Sequence, residues 1–576
     1  MRSAARALVV VLCCATQTGV ALAEAEEAET EDVPVAGASA DASDDELTAD
    51  EEIDALLGPS ITEATVVTAN RTEQSILDAP VSVSVVDEQT IETSAADNIG
   101  DLVRGVPGVN IVQVSARDIN FSTRSPGTSL AGGGLALVDG RSIYQDFFGL
   151  VMWDLVPADL SELEQVEVVR GPGSAMWGAN ALTGVVHLRT KSPRDMAGGL
   201  AAVGGGELGT KSAKLRWAQA WERFSFKLAG AYLEQRPWER SNNFSNGDPI
   251  PMTFEFENEG TKQPKIDLRL DFDARKGRRW SYRAGWAQTT GLLYTGIGPF
   301  AIADGSEATY ADARLETKRH EVKFYVNTID GDATNLLIGT DFFFDSKTWV
   351  GEITGRRAVG QRHALVYGGT GRLVKFDLSL APGEDERVEF GAFVEDSIAI
   401  GKKSQLNIGL RLDHFDTIGL TVSPRSSFLY RIREWMTLRV ALNRAFRAPS
   451  LINNYLQTAV PNLYTLPNGN DFFYGSLAEG GPDLEEERVD ALELGLTGVV
   501  GNSLVSVAVY RNETGSQIDF AEEQYYSDES PPTFWNPDIP VPECLLVQRF
   551  QYRNVPSGKV IDEGFELGVQ SDWGRG

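Results

Sequence analysis

From Gly198 onward one pattern recurs along the chain. Phe224, Phe226 and Leu228 alternate with Ser225 and Lys227, and Ile266, Leu268, Leu270 and Phe272 with Lys265, Asp267, Arg269 and Asp271. Trp280, Tyr282, Ala284 and Trp286 alternate with Ser281 and Arg283, and Leu438, Val440 and Leu442 with Thr437, Arg439 and Asn443. A period of two gathers each set on one face of a strand, whereas a helix would scatter it around the axis. One apolar face and one charged face, repeated over hundreds of residues, suits a membrane β-barrel with lipid outside and a polar lumen. A soluble propeller or sandwich gives no reason for Arg and Asp to fill a whole strand face. No segment beyond the amino terminus is apolar enough to cross a membrane as a helix.

The amino terminus reads as an export signal over residues 1–23. Arg2 and Arg6 precede an apolar run, Ala7 to Cys14, and Ala21-Leu22-Ala23 offers small residues for cleavage. Of the three cysteines, Cys13 and Cys14 leave with it, so Cys544 alone remains and no internal disulfide is expected. Residues 24–62 carry many acids and hold much of the net charge of −30. Glu24 to Ser60 has no Lys or Arg, a composition that repels itself and stays solvated. A short helix over Ala49 to Leu57 is the alternative to a plain tether. Glu63-Ala64-Thr65-Val66-Val67-Thr68-Ala69 follows, a β-prone segment read as exposed between the acidic tether and polar Asn70-Arg71. An unpaired strand of this kind can accept a partner strand through its backbone.

Residues 70–195 have the elements of a small α+β domain. Ala79 to Val86 alternates as a strand, and Ile91 to Val103 spaces Ile91, Ala95, Ile99 and Leu102 for one helical face, stopped by Gly105. Val109 to Ile111 is again strand-like, and Gln113 to Gly134 is polar and glycine-rich. Val166 to Lys191 is a strand–loop–strand unit broken at Arg170-Gly171-Pro172-Gly173. This unit, with Leu135-Ala136-Leu137-Val138-Asp139-Gly140-Arg141, resembles the plug domain of TonB-dependent outer-membrane receptors. Farther on, Leu406 to Asp413 with Ser423-Pro424-Arg425, then Phe446-Arg447-Ala448-Pro449-Ser450, Leu492-Glu493-Leu494-Gly495 and Gly564-Phe565-Glu566-Leu567, resemble the same family's wall.

The resemblance implies a mainly β fold, a transmembrane antiparallel barrel over 196–576 with the plug inside it. Glu63, Ala64, Thr65, Val66, Val67, Thr68 and Ala69 become a TonB box, captured by TonB from the periplasm. Arg124 and Arg170 in the plug, with Glu493 and Glu566 in the wall, match the family's plug–barrel lock, although Ser125 stands where Gly usually follows the first arginine. Ligand contacts are expected from Arg117, Asp118, Asn120 and Tyr144, covered by an aromatic loop at Tyr525, Tyr526, Phe534 and Trp535. Barrels of this family have roughly 22 strands. The residues after Gly198 supply about 14–16 at some ten residues each plus loops, so a partial barrel is expected, with an open sheet edge or closed by distortion.

Other chemistry finds no residues to carry it. His187, His320, His363 and His414 lack metal-ligand spacing, Gly204-Gly205-Gly206 opens no helix, and the acidic balance argues against nucleic acid. No cofactor and no enzymatic activity are expected. The partners are TonB, a small-molecule or metal-chelate ligand and outer-membrane lipid. The expected cargo is an iron–siderophore complex, with cobalamin, or surface binding without transport, as alternatives.

Overall fold

The computed structural model describes residues 65–125, 132–239, 259–275, 277–295, 298–336, 339–465, 471–524, 529, 531, 549–555 and 558–571. Side chains of 460–465, 471–475 and 523–524 are left aside. The expected signal peptide and acidic linker, with Glu63 and Ala64, lie outside the described residues, as do Tyr525, Tyr526, Phe534 and Trp535.

Eighteen strands join in one antiparallel sheet, from Gly198–Gly205 to Val560–Ser571. Two of them, Gly291–Thr295 and Gly298–Ile302, form a short hairpin beyond the wall, and the other sixteen succeed one another as wall strands. Within the described residues the first and last strands share no pairing, so the sheet is open. The alternation does what a lipid-facing wall requires. Leu228, Ile266, Phe272, Tyr282 and Leu442 point outward and are exposed, while Lys227, Arg269, Asp271 and Arg283 point inward and are buried. No helix among the described residues is long and apolar enough to cross a membrane.

The plug fills the inside of this wall. Seven of its strands are β1 (Thr65–Val66), β2 (Gln74–Ser75), β3 (Ser82–Asp87), β4 (Gly134–Val138), β5 (Arg141–Ser142), β6 (Leu163–Arg170) and β7 (Gly184–Thr190). Strands β3, β6, β7, β4 and β5 form one sheet in that order, with β7 and β4 parallel and the rest antiparallel. Both faces are buried: Ala136, Val166, Val168 and Val186 pack on one side, Val83, Val85, Leu135 and Val185 on the other. Burial on both faces explains why these strands read as nearly continuous apolar runs.

One expected element needs correction. The helix expected from Ile91 to Val103 is two helices, α1 (Glu88–Thr93) and α2 (Ile99–Val103). Asn98 caps the second, accepting from the Asp101 amide at 3.0 Å, and Ser94 ends the first in extended backbone. Ser and Asn favour caps over helix interiors, and here they win over the apolar spacing. The polar stretch after Gln113 contains a buried strand, Ile119–Thr123, paired with Val109–Gln113.

Candidate functional site

The seam between plug and wall holds the polar chemistry. Glu493 lies between outward-facing Leu492 and Leu494, and Glu566 between outward-facing Phe565 and Leu567, so the strand period delivers both carboxylates to the lumen. Arg124 meets them there. Its Nε and Nη2 fork onto the two oxygens of Glu566 at 3.0 and 2.9 Å, and its Nη1 donates to Glu493. Arg170 Nη1 donates to Glu566 Oε2 at 2.7 Å. The cluster is larger than four residues. Arg439 from the wall donates to Glu493 Oε1 at 2.6 Å and Ser82 Oγ donates to the same oxygen at 2.9 Å, while Arg124 stacks over Tyr510 at 4.4 Å. All five charged groups are buried. Burial works against the Arg124 charge, but Glu493 and Glu566 more than offset it and raise its pKa. For Arg170 burial prevails and lowers the pKa, helped by the neighbouring Arg124. Bidentate geometry of this kind favours Arg over Lys.

Gly108 makes the approach possible. Its φ is +74°, and a Cβ there would lie 2.1 Å from Glu566 Oε1. Arg124 itself takes a left-handed φ of +51°, and its amide donates to the Gly108 carbonyl at 2.9 Å.

The segment read as exposed is packed away. Val66, Thr68 and Ala69 are each no more than 2% exposed, and Thr65–Val66 pairs with Gln74–Ser75 instead of presenting a free edge. Beyond Val66 its backbone is satisfied largely by side chains. The buried Glu167 carboxylate accepts from the amides of Val67 at 2.9 Å and Thr68 at 2.8 Å. Trp177 Nε1 donates to the Thr68 carbonyl at 2.9 Å, and Arg425 Nη1 to the Ala69 carbonyl at 2.8 Å. Arg71 closes the segment: it pairs with Glu352 at 2.6 Å and lies between the rings of Trp177 and Phe393. The exposed reading failed because a two-residue strand and a set of side-chain caps leave no periodic signature.

The plug residues expected to touch a ligand are enclosed too. Arg117 pairs with Asp154 at 2.6 Å. Asp118 accepts from Asn120 Nδ2 at 2.8 Å and from the Tyr294 amide at 2.9 Å, and burial pushes its carboxyl up to about 7 against the pull of Arg117 and Asn120. Tyr144 donates to the Gly132 carbonyl at 3.0 Å. Arg117, Asp118, Asn120 and Tyr144 are at most 5% exposed, so in this conformation they are packing and not an open binding surface. The polar composition of their stretch misled, because its charges find partners within the plug or on the wall.

Three further groups escaped the sequence. Glu167 lies on β6 and His187 on β7, where a polar residue in an apolar run looks like an ordinary surface position. Asp146, in the plug turn after Tyr144, accepts from Arg387 Nη2 at 2.9 Å and from Arg372, both on the wall. Glu162 of the plug pairs with wall Lys227 at 2.5 Å, and Lys227 also pairs with Asp267 at 2.7 Å. No group of His, Cys, Asp or Glu among the described residues is arranged to hold a metal ion.

Comparison with known proteins joins these parts. A plug-domain model of TonB-dependent receptors matches residues 75–185, and a model of their β-barrel matches residues 202–576. A protein described as vitamin B12 transporter BtuB from Vibrio vulnificus is 25% identical over 474 residues, covering 79% of this chain and 71% of that protein. One described as ferric enterobactin receptor PirA from Pseudomonas aeruginosa is 24% identical over 534 residues, covering 77% and 69%. The crystal structure of the siderophore receptor PirA from Acinetobacter baumannii superposes with a TM-score of 0.65 at 18% identity, covering 85% of this chain and 78% of that one. Plug and wall follow one another along the chain in the order the two models require, and the chain belongs to the TonB-dependent receptors.

Proposed function

We propose that this receptor captures a scarce solute, an iron–siderophore complex, at its outer face and imports it with energy delivered by TonB through residues 63–69. The observation that carries the reading is how residues 67–69 are held. Glu167, Trp177 and Arg425 satisfy that backbone from the side. An incoming strand can replace such bonds one for one without dismantling the plug sheet. The acidic segment before residue 63 then serves as the periplasmic tether, and the clamp of Arg124 and Arg170 on Glu493 and Glu566 keeps the plug seated while the box is drawn. Iron as cargo leans on the relatives described as siderophore and ferric enterobactin receptors. Cobalamin is the second reading, favoured by relatives described as vitamin B12 transporters, one of them 38% identical over 125 residues.

The test is uptake by cells expressing the chain, supplied in parallel with radio-iron on enterobactin and with labelled cyanocobalamin. Replacing Val66 by Pro removes a backbone donor at the box and is expected to abolish accumulation while solute still binds the cell surface. Normal transport by Val66→Pro would show that the box lies elsewhere. Preferential accumulation of cobalamin would replace iron as the cargo.

A further inference from the structure

His187 sits at the junction of two plug segments that are far apart in sequence. Its Nδ1 lies 2.9 Å from Thr68 Oγ1, and its Nε2 accepts from the Gly140 amide at 2.9 Å. An amide N–H can only donate, so Nε2 carries no proton. The ring is therefore neutral, and its single N–H, on Nδ1, points at Thr68. The ring is almost fully buried, with its edge against Trp177, which itself holds the Thr68 carbonyl. Burial keeps it neutral, lowering its pKa to about 4. On the far side, the Asp139–Gly140 turn is where the plug grips the wall: Lys323 Nζ donates to the Gly140 carbonyl at 2.6 Å, and Arg314 donates to the Asp139 carbonyl. A cavity of about 380 Å³ lined by Val67, Gly140, His187 and Lys323 adjoins these groups.

We propose that His187 is a positioning residue that couples the 65–69 segment to the 139–140 turn, so that withdrawal of Thr68 loosens from β7 the turn that Arg314 and Lys323 hold to the wall. The logic is one of donors and acceptors. A neutral imidazole has one of each, and in place both are used. When Thr68 leaves, the Nδ1 proton loses its acceptor in a buried site. The ring can recover one by turning into the adjacent cavity, and that change takes the acceptor away from Gly140. The turn then keeps its wall contacts and the bonds that join Asp139 to Leu188 and Thr190, but it loses the bond to His187, which weakens its hold on β7. The coupling rests on the box reading only for what does the pulling, since the hydrogen-bond chain exists whatever draws on residues 65–69.

The test uses the mature chain from residue 24 in lipid nanodiscs, with Cys544→Ser and a reporter, Ser142→Cys, just beyond the turn. Reaction of the reporter with a small water-soluble methanethiosulfonate measures loosening. Thr68→Val keeps the packing and removes only the hydroxyl, and it is expected to speed the reaction about tenfold, as loss of one buried hydrogen bond would. His187→Phe should do the same, the double variant should exceed neither, and His187→Gln, which carries a donor and an acceptor, should restore slow reaction. An unchanged rate in Thr68→Val, or strictly multiplicative effects in the double variant, would overturn the coupling. If His187→Phe also makes a buried Val168→Cys reactive, the plug has opened as a whole, and the Thr68→Val result alone decides. Binding of the purified periplasmic domain of TonB, measured separately, distinguishes a failed box reading from a failed coupling.

Discussion

At the scale of single residues the molecule turns on buried charges that have partners. Glu566 takes both forks of Arg124 and one donor of Arg170. Glu566→Ala leaves Arg170 without a carboxylate and Arg124 with Glu493 alone, at about 3–5 kcal/mol for a broken buried pair. The expected outcome is earlier thermal release of the plug to protease, with the wall still folded. Gly108→Ala should act in the same direction, because a methyl group there collides with Glu566. His187 adds a pH dependence. Its pKa in the folded chain is about 4, below the ordinary 6.5, so the stability it supports is present above about pH 6.5 and is lost as pH falls through about 4. Thermal melts from pH 7 to 4 should fall more steeply for the parent chain than for His187→Gln. The motif residues Arg124, Arg170, Glu493 and Glu566 could be named in the sequence because they stand where the family's lock residues are expected from the resemblance. Glu167 and His187 could not, because what makes them matter is a contact with a segment 100 residues away.

At the scale of elements, the wall strands were legible and the plug only in part. A period of two survives in a strand with one face in lipid and the other on a polar lumen, as around Ile266 to Phe272. It fades in β6 and β7, buried on both faces. The α1–α2 break shows local chemistry overriding spacing. Asn98→Ala should destabilise the plug of the full chain by about 1 kcal/mol, and Asn98→Gly by less, in thermal denaturation. Residues 65–69 are a related case: β-propensity marked the segment, but its partners are side chains, and only the fold brings Glu167, Trp177 and Arg425 around it.

For the whole molecule, the wall is the inverse of a soluble sheet, with charge inside and apolar side chains outside. Leu494, half exposed on the outer face beside buried Glu493, tests that directly. Leu494→Arg is expected to weaken folding into lipid vesicles by up to about 2–4 kcal/mol, depending on its depth. The measurement that bears most directly on the account is accumulation of radio-iron, supplied on enterobactin, by cells that express the chain with and without functional TonB. The account predicts accumulation that requires TonB and is lost in Val66→Pro, with surface binding retained in every case. Surface binding without accumulation in TonB-proficient cells, or accumulation that survives loss of TonB, would contradict it.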